Sequence, residues 1–283
     1  MSKNSNQEIN KKIEYAREYD LEIKKHYDKV ARLDKESSSC TMSDKYIREN
    51  ETIFIKNLIN KFTSTNVPKK NNLFTILDVG CGNGHSLEIL SNIFPNFEFQ
   101  GLEFNQSLRQ IASNRFTDKK IQIRDGDIRN KKTLPNEKVD ILICQRVLIN
   151  LLDEKDQKIA LDNLIDLVNR DGLLIFIESF KSGLQNLNSA RKEFELQELP
   201  PAHHNLYLND NFFLNKLLKE FDNSQSELLS THYFVSRVLH ETFLKANKKE
   251  FFRNSHFVSF FSKAFPKSIG NYSPIKLLSY KKL

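Results

Sequence analysis

Apolar residues recur along this chain in two periods, and the change from one to the other divides it. From Ile13 the positions Ile13, Ala16, Tyr19, Ile23, Tyr27 and Val30 follow at steps of three and four, the stripe of an amphipathic helix. A polar break from Glu36 to Cys40 precedes Ser43, which is placed to cap a second helix with Asp44 in its first turn. That helix carries Ile47, Phe54, Leu58 and Phe62 on one face. The stretch 66–72, with Pro68 inside it, reads as a linker, and residues 1–10 as disordered. Residues 1–66 are therefore expected to form a helical cap and residues 67–283 the main domain.

Beyond the linker, short apolar runs alternate with helical segments. Leu73 to Val79, Phe97 to Glu103, Ile121 to Arg124, Val139 to Cys144 and Leu173 to Glu178 read as strands. His85 to Phe94, Asn105 to Phe116 and Asp153 to Asn169 read as helices, the last stopped at Asp171-Gly172. Strands that are apolar on both faces argue for a parallel α/β sheet wound on both sides with helices. After Phe180 the alternation lapses. The segments 183–201 and Asp210 to Phe221 read as helical, Leu228 to Leu239 as a strand, and Ile275 to Tyr280 as a closing strand. Phe257, Phe260, Phe261 and Phe265 share one helical face, which is expected to pack on the core as a lid, ahead of lying on a membrane surface. Residues 181–270 would then hold an acceptor-side insertion and that lid.

Composition narrows the partners. Hydrophobic residues at 39% with 22 Phe can fill a core, so the chain is not disordered throughout. The net charge of +7 favours anionic partners, yet acids sit among the bases nearly everywhere. No dense basic block with interleaved aromatics appears. A small molecule is therefore expected, anionic if the excess charge serves its capture, and a stable nucleic-acid partner is not. Cys40, Cys81 and Cys144 form no disulfide framework, and no metal-ligand spacing is evident, so no metal is expected. The first residues lack the apolar core of a secretory leader. The run Val139 to Leu152 is too short and too polar to span a bilayer. The expected location is the cytoplasm, with oligomeric state left open.

The chemistry concentrates at Asp78-Val-Gly80-Cys81-Gly82-Asn83-Gly84, between a strand and a helix. Glycines allow a tight turn and a close approach to a ligand, and the helix start offers free N–H groups. A dinucleotide fingerprint shares that logic, but its spacing is G-x-G-x-x-G, and His85 stands where its third glycine belongs. Asp78, before the first glycine, suits a cationic ligand better than a pyrophosphate. S-adenosylmethionine, with its sulfonium and amino group, fits. Glu103 is placed to take ribose hydroxyls at the end of the second strand, and Asp127 lies near the adenine amino group after the third.

In order and approximate spacing, Asp78 to Gly84, Glu103, Asp127 and the run Asp140 to Cys144 resemble the motifs of class I S-adenosylmethionine-dependent methyltransferases, over roughly residues 45–180. Arg170-Asp171-Gly172 matches the polar turn that precedes the fifth strand in that family. The resemblance implies a Rossmann-like, doubly wound sheet of seven mostly parallel strands with the last antiparallel. Leu228 to Leu239 and Ile275 to Tyr280 would complete it. It also implies cofactor contacts from Asp78, Gly80, Cys81, Gly82, Asn83, Gly84, Glu103, Phe104, Asp127, Ile128 and Gln145. In such enzymes helices ahead of the sheet close over the cofactor, which draws attention to the polar cluster of Thr41 to Asp44 with Arg48 and Glu51.

Acceptor recognition in the family follows the fifth strand, where this chain has Pro200 to Tyr207 with His203 and His204. His204 is the expected general base and Arg146 the residue that orients the acceptor. In an extended segment His203 would point away from it. The expected reaction is methyl transfer to a hydroxyl of a small molecule or saccharide, ahead of a small amine and of RNA or protein. No Asn-Pro-Pro-Tyr-like sequence follows the fourth strand. A regulatory or scaffold protein that only binds the cofactor would be expected to lose glycines or acids, and none is lost.

Overall fold

Strands buried on both faces need a helical layer on each side, and the computed structural model supplies both. It describes residues 17–37, 40, 42–69, 72–117, 121–218 and 221–283. Residues 1–10, Ile13, Ala16 and Thr41 lie outside these, and so do the expectations placed on them. The strands are β1 (Thr75–Val79), β2 (Glu98–Leu102), β3 (Gln122–Arg124), β4 (Val139–Gln145), β5 (Val168–Ser179), β6 (Phe221–Leu228) and β7 (Ile275–Lys282). They form one seven-stranded sheet of order β3-β2-β1-β4-β5-β7-β6. The first five pair in parallel, and β7 runs antiparallel between β5 and β6.

The two faces follow the period of two along each strand. Ile76, Ile141, Ile143, Leu173, Ile175 and Ile177 face one core, with Leu87 and Leu90 of α3 (His85–Ile93). Leu77, Val79, Leu142, Cys144, Leu174 and Phe176 face the other, with Leu161 and Leu164 of α5 (Glu154–Asp166). Two further helices precede the sheet, α1 (Asp20–Asp34) and α2 (Lys45–Thr65). Ile47, Phe54, Ile55, Leu58 and Ile59 of α2 join the first core directly, so α2 is a wall of the sheet. α1 instead packs on α4 (Gln106–Arg115), with Ala31 and Cys40 against Leu108. The remaining helices are α6 (Lys181–Glu193), α7 (Asp210–Leu217), α8 (Ser230–Phe234), α9 (His240–Ala246) and α10 (His256–Ala264).

Four expectations need correction. The sixth strand is Phe221–Leu228, whereas Leu228 to Leu239 is mostly helical: α8 runs into a π-helical turn over Val235–Leu239. β6 is an edge strand with few apolar residues, so it lacks the alternation that marks a strand. Asp171-Gly172 does not stop a helix. α5 ends at Asp166, and residues 169–172 bulge out of β5, with Asp171 at φ 62°. The phenyl face of α10 does not pack on the core: Val258 and Ser262 face inward, while Phe260 is 66% exposed and Phe265 47%. The N-cap of α2 is Asp44, not Ser43.

Asp44 does more than cap. Its carboxylate accepts the Ile47 N–H at 3.3 Å, His232 Nε2 at 3.0 Å and an Arg237 amine at 3.0 Å. His232 Nδ1 lies 2.9 Å from the Ser262 hydroxyl, and the ring stacks on Tyr46. This Ser–His–Asp arrangement is fully buried and joins α2, α8 and α10, which makes it a staple. Burial alone would raise the Asp44 carboxyl, but the hydrogen bonds and charges of His232 and Arg237 prevail and hold it at about 2. Asp44→Asn leaves Arg237 buried without its counter-charge, so stability should fall by about 3–5 kcal/mol in urea unfolding. Because the folded pKa lies below the unfolded one, this contribution is full above the ordinary aspartate range and is lost as pH falls toward about 2. Equal urea midpoints for variant and wild type at neutral pH would show that the cluster stabilises nothing.

Candidate functional site

The strand order turns back between β1 and β4, and doubly wound sheets bind ligands at the carboxyl ends of strands at such a point. The glycine turn leaves β1 there, with Gly80, Gly82 and Gly84 all at positive φ. A Cβ on Gly80 would lie 2.4 Å from the Val147 side chain, so only glycine fits. Gly84 serves packing instead. It precedes α3, and a Cβ there would meet Phe116 at 2.8 Å.

Glu103, just past β2, is buried and anchors the turn. One carboxylate oxygen accepts the Gly82 N–H at 2.8 Å and the other the Asn105 N–H at 2.7 Å. Burial raises its pKa, opposed by those two N–H groups. Asp78, also buried, is pushed up to about 7 by desolvation and by the neighbouring Glu103 charge, with Arg146 and Arg48 opposing. Asp127 lies further along the edge. Both its oxygens are held by Arg129, which also donates to Asp20 of α1 at 2.8 and 2.9 Å.

These groups line one cleft, which encloses about 1030 Å³ including its open mouth. Gly80, Gly82, Glu103, Phe104, Asp127, Ile128, Gln145, Arg146 and His204 all border it. Asp78, Cys81 and Asn83 border an adjoining recess together with Arg48 and His85. Among the residues expected at the cofactor, only Gly84 borders neither.

Of three further contributors, the sequence reading named Glu51 only as part of a polar cluster and assigned neither the residues of the helical stripe nor Arg129 to the site. Tyr19, the N-cap of α1, and Asp20, Ile23, Lys24 and Tyr27 within it form a wall of the cleft; two aromatic hydroxyls within the helical stripe were the available signal. Arg129 clamps α1 to the β3 end and carried no motif. Glu51 of α2, fully buried, accepts Gln145 Nε2 at 2.7 Å and pairs with Arg146. Arg146 is therefore committed to a carboxylate, and its backbone sits at φ 55°.

The two histidines are not extended. Residues 203–204 form a turn, and both rings face His26 of α1. His204 stacks on His26 with centroids 3.6 Å apart, and His203 lies 5.0 Å from His204. A tight turn carries adjacent side chains to the same side, so the alternation expected of a strand is lost. Burial, and then the charges of His26 and His203, lower His204 to about 4. The His204 Nδ1 and the Asn205 Oδ1 are buried without a hydrogen-bond partner, and both residues line the cleft.

Residues 76–172 match the family model described as a methyltransferase domain. Over that third of its length the chain is similar to methyltransferases. Malonyl-[acyl-carrier protein] O-methyltransferase of Bacillus anthracis is 28% identical over 131 residues, 45% of this chain and 47% of that protein. The chain thus spans about half the length of the curated relatives it matches. Magnesium protoporphyrin IX methyltransferase of Synechocystis PCC 6803, solved with bound S-adenosylhomocysteine, covers 86% of this chain and 87% of its own at a TM-score of 0.53 and 14% identity. An N-methyltransferase of Bradyrhizobium japonicum WM9, also solved with that product, covers 90% and 97% at 0.53 and 13%. At these identities the likeness shows the fold, a mostly parallel Rossmann-like sheet between helical layers.

If the cleft takes S-adenosylmethionine, as proposed below, the carboxylate of Glu103 is placed to hold its ribose. Charge-assisted hydrogen bonds of that kind are worth about 1.5–3 kcal/mol. Glu103→Ala should weaken S-adenosylhomocysteine binding about ten- to a hundredfold by calorimetry. It should also lower thermal stability, because the Gly82 and Asn105 N–H groups lose their acceptor. A variant that loses stability but binds as tightly as wild type would restrict Glu103 to anchoring the turn.

Proposed function

We propose that this chain transfers the methyl group of S-adenosylmethionine to the hydroxyl of a polar small molecule. One observation carries the reading: a single cleft runs from the glycine turn and Glu103 to His204 and Asn205, each of which carries a buried polar atom without a partner. It has a cofactor end and an acceptor end. The sulfonium, when bound, supplies an activated methyl group and a neutral thioether leaving group.

The residues present fit that cofactor. Glu103 keeps lone pairs free for ribose hydroxyls while it holds the turn. Asp78 and Arg48, of opposite charge in one recess, suit the ammonium and carboxylate of its amino-acid end. A cation beside Asp78 would draw that carboxyl, now near 7, back toward its ionised form. Phe104 and Ile128 offer apolar surface for an adenine ring.

Neither arginine of the cleft is free: Arg129, at the β3 end, and Arg146, past β4, are both committed to carboxylates. The acceptor therefore meets mostly uncharged hydrogen-bonding groups: His204, Asn205, Asn150 and Tyr27. An alcohol fits this better than the anion that the net charge suggests. With its pKa near 4, His204 is uncharged at neutral pH and accepts a hydrogen bond from the acceptor hydroxyl, but it is too weak to be a matched base. Its role is to orient. Proximity in the closed cleft does the rest.

Single-turnover transfer of labelled methyl to a metabolite extract, resolved by mass spectrometry, tests the reading: the label should appear as an ether. Label found only on nitrogen, or none transferred by protein saturated with cofactor, would overturn it. His204→Ala should slow turnover about a hundredfold and leave S-adenosylhomocysteine affinity nearly unchanged. Wild-type turnover should stay flat through neutral pH and fall only as pH approaches about 4, where His204 gains its proton. A rate that falls below about pH 6.5, the ordinary histidine range, would contradict this role.

A further inference from the structure

We propose that His26, His203 and His204 form a binding site for one divalent transition-metal ion of the zinc class, at the acceptor rim of the cleft. The three rings come from two separate elements, α1 and the turn beyond α6. One ring nitrogen of each lies within 4.8 Å of the other two. Two nitrogens on one tetrahedral zinc, each at about 2.1 Å, stand about 3.4 Å apart, so ring rotations that draw the donors in by about 1.5 Å at most complete the set. Rotation of His26 out of its stack on His204 supplies that movement, because nearly parallel rings do not aim their lone pairs at one point.

A second observation points the same way. The Nδ1 of His204 is buried with no hydrogen-bond partner, and buried polar atoms are ordinarily satisfied. Three imidazoles with a vacant fourth position are a donor set that catalytic zinc uses, and imidazole suits this class of ion better than magnesium or calcium. Among the described residues no carboxylate joins the set, so the ion would keep its full charge at the edge of a cleft that His204 lines. There it ties α1 to the acceptor turn. Its open position would take the acceptor oxygen and lower the pKa of that hydroxyl, which the bare imidazole cannot do. That last role rests on the reading of the cleft as a hydroxyl methyltransferase site; binding of the ion does not.

The test uses the untagged full chain, stripped of metal by a chelator and titrated with Co²⁺. Calorimetry should give one ion per chain, with the visible absorption of a low-coordinate cobalt site. His26→Asn and His203→Asn should each weaken binding at least about tenfold, since loss of even an outer-shell partner does as much. His256→Asn, at an exposed position, should leave affinity unchanged. His26 and His203 do not line the cleft, so S-adenosylhomocysteine affinity of the same variants reports folding and the cofactor reading separately. Wild type that binds Co²⁺ no more tightly than the His26→Asn/His203→Asn double variant would overturn the site, whatever its cofactor affinity.

Discussion

The cleft depends on one buried carboxylate at the end of β2. Glu103 holds the Gly82 N–H with one oxygen and the Asn105 N–H with the other, so a single side chain fixes both the glycine turn and the start of α4. Asn105 then caps α4 through the Leu108 N–H and reaches Asp28 of α1 with its amide. Asn83 closes the circuit by donating to the Lys35 and Ser37 carbonyls at the end of α1. Removing the carboxylate would loosen the turn, the helix and the wall over them together. Buried hydrogen bonds of this kind are costly to leave unmade, which is why the site is rigid where a ligand must be held.

The far end of α1 is held by charge. Arg129 lies between Asp127 and Asp20, and Arg17 pairs with Asp156. Burial alone would lower the Arg129 pKa, but its carboxylate partners raise it above the ordinary arginine value. α1 has only a small apolar face, so its docking relies on these pairs and on the polar links at its other end. A wall attached mainly by polar contacts can part from the sheet without exposing a large core.

Much of this was legible in the sequence because it is local. The glycine turn, the acids at successive strand ends and the β-α alternation each lie within a few residues of one another, and local patterns survive into the fold. What escaped depends on distant partners. The segment Leu228 to Leu239 looks like a strand from its apolar residues alone, yet His232 and Arg237 are recruited by Asp44, far away in the chain, and the π turn follows. The phenylalanines of α10 look like a buried face, but Ser262 must face inward to reach His232, and the rings are turned out. Asp127 was placed correctly at its strand end; that Arg129 occupies it depends on Asp20, which no local pattern announces.

The buried acids also bear on direction. Asp78 and Glu178, both pushed up to about 7 by burial, stand with Glu103 at the carboxyl edge of the sheet. Glu178 is engaged with the Val147 and Leu148 N–H groups, which shape the loop beyond β4. Asp78 has less compensation and is the group whose ionisation a bound cation would favour most. A ligand that arrives with a sulfonium charge would stabilise the Asp78 carboxylate, and its demethylated product, having lost that charge, would do so less. Opposite charges close together attract by Coulomb's law far more strongly in a dry cleft than in water, so a cationic group seated beside Asp78 would hold that carboxyl ionised without any movement of the protein.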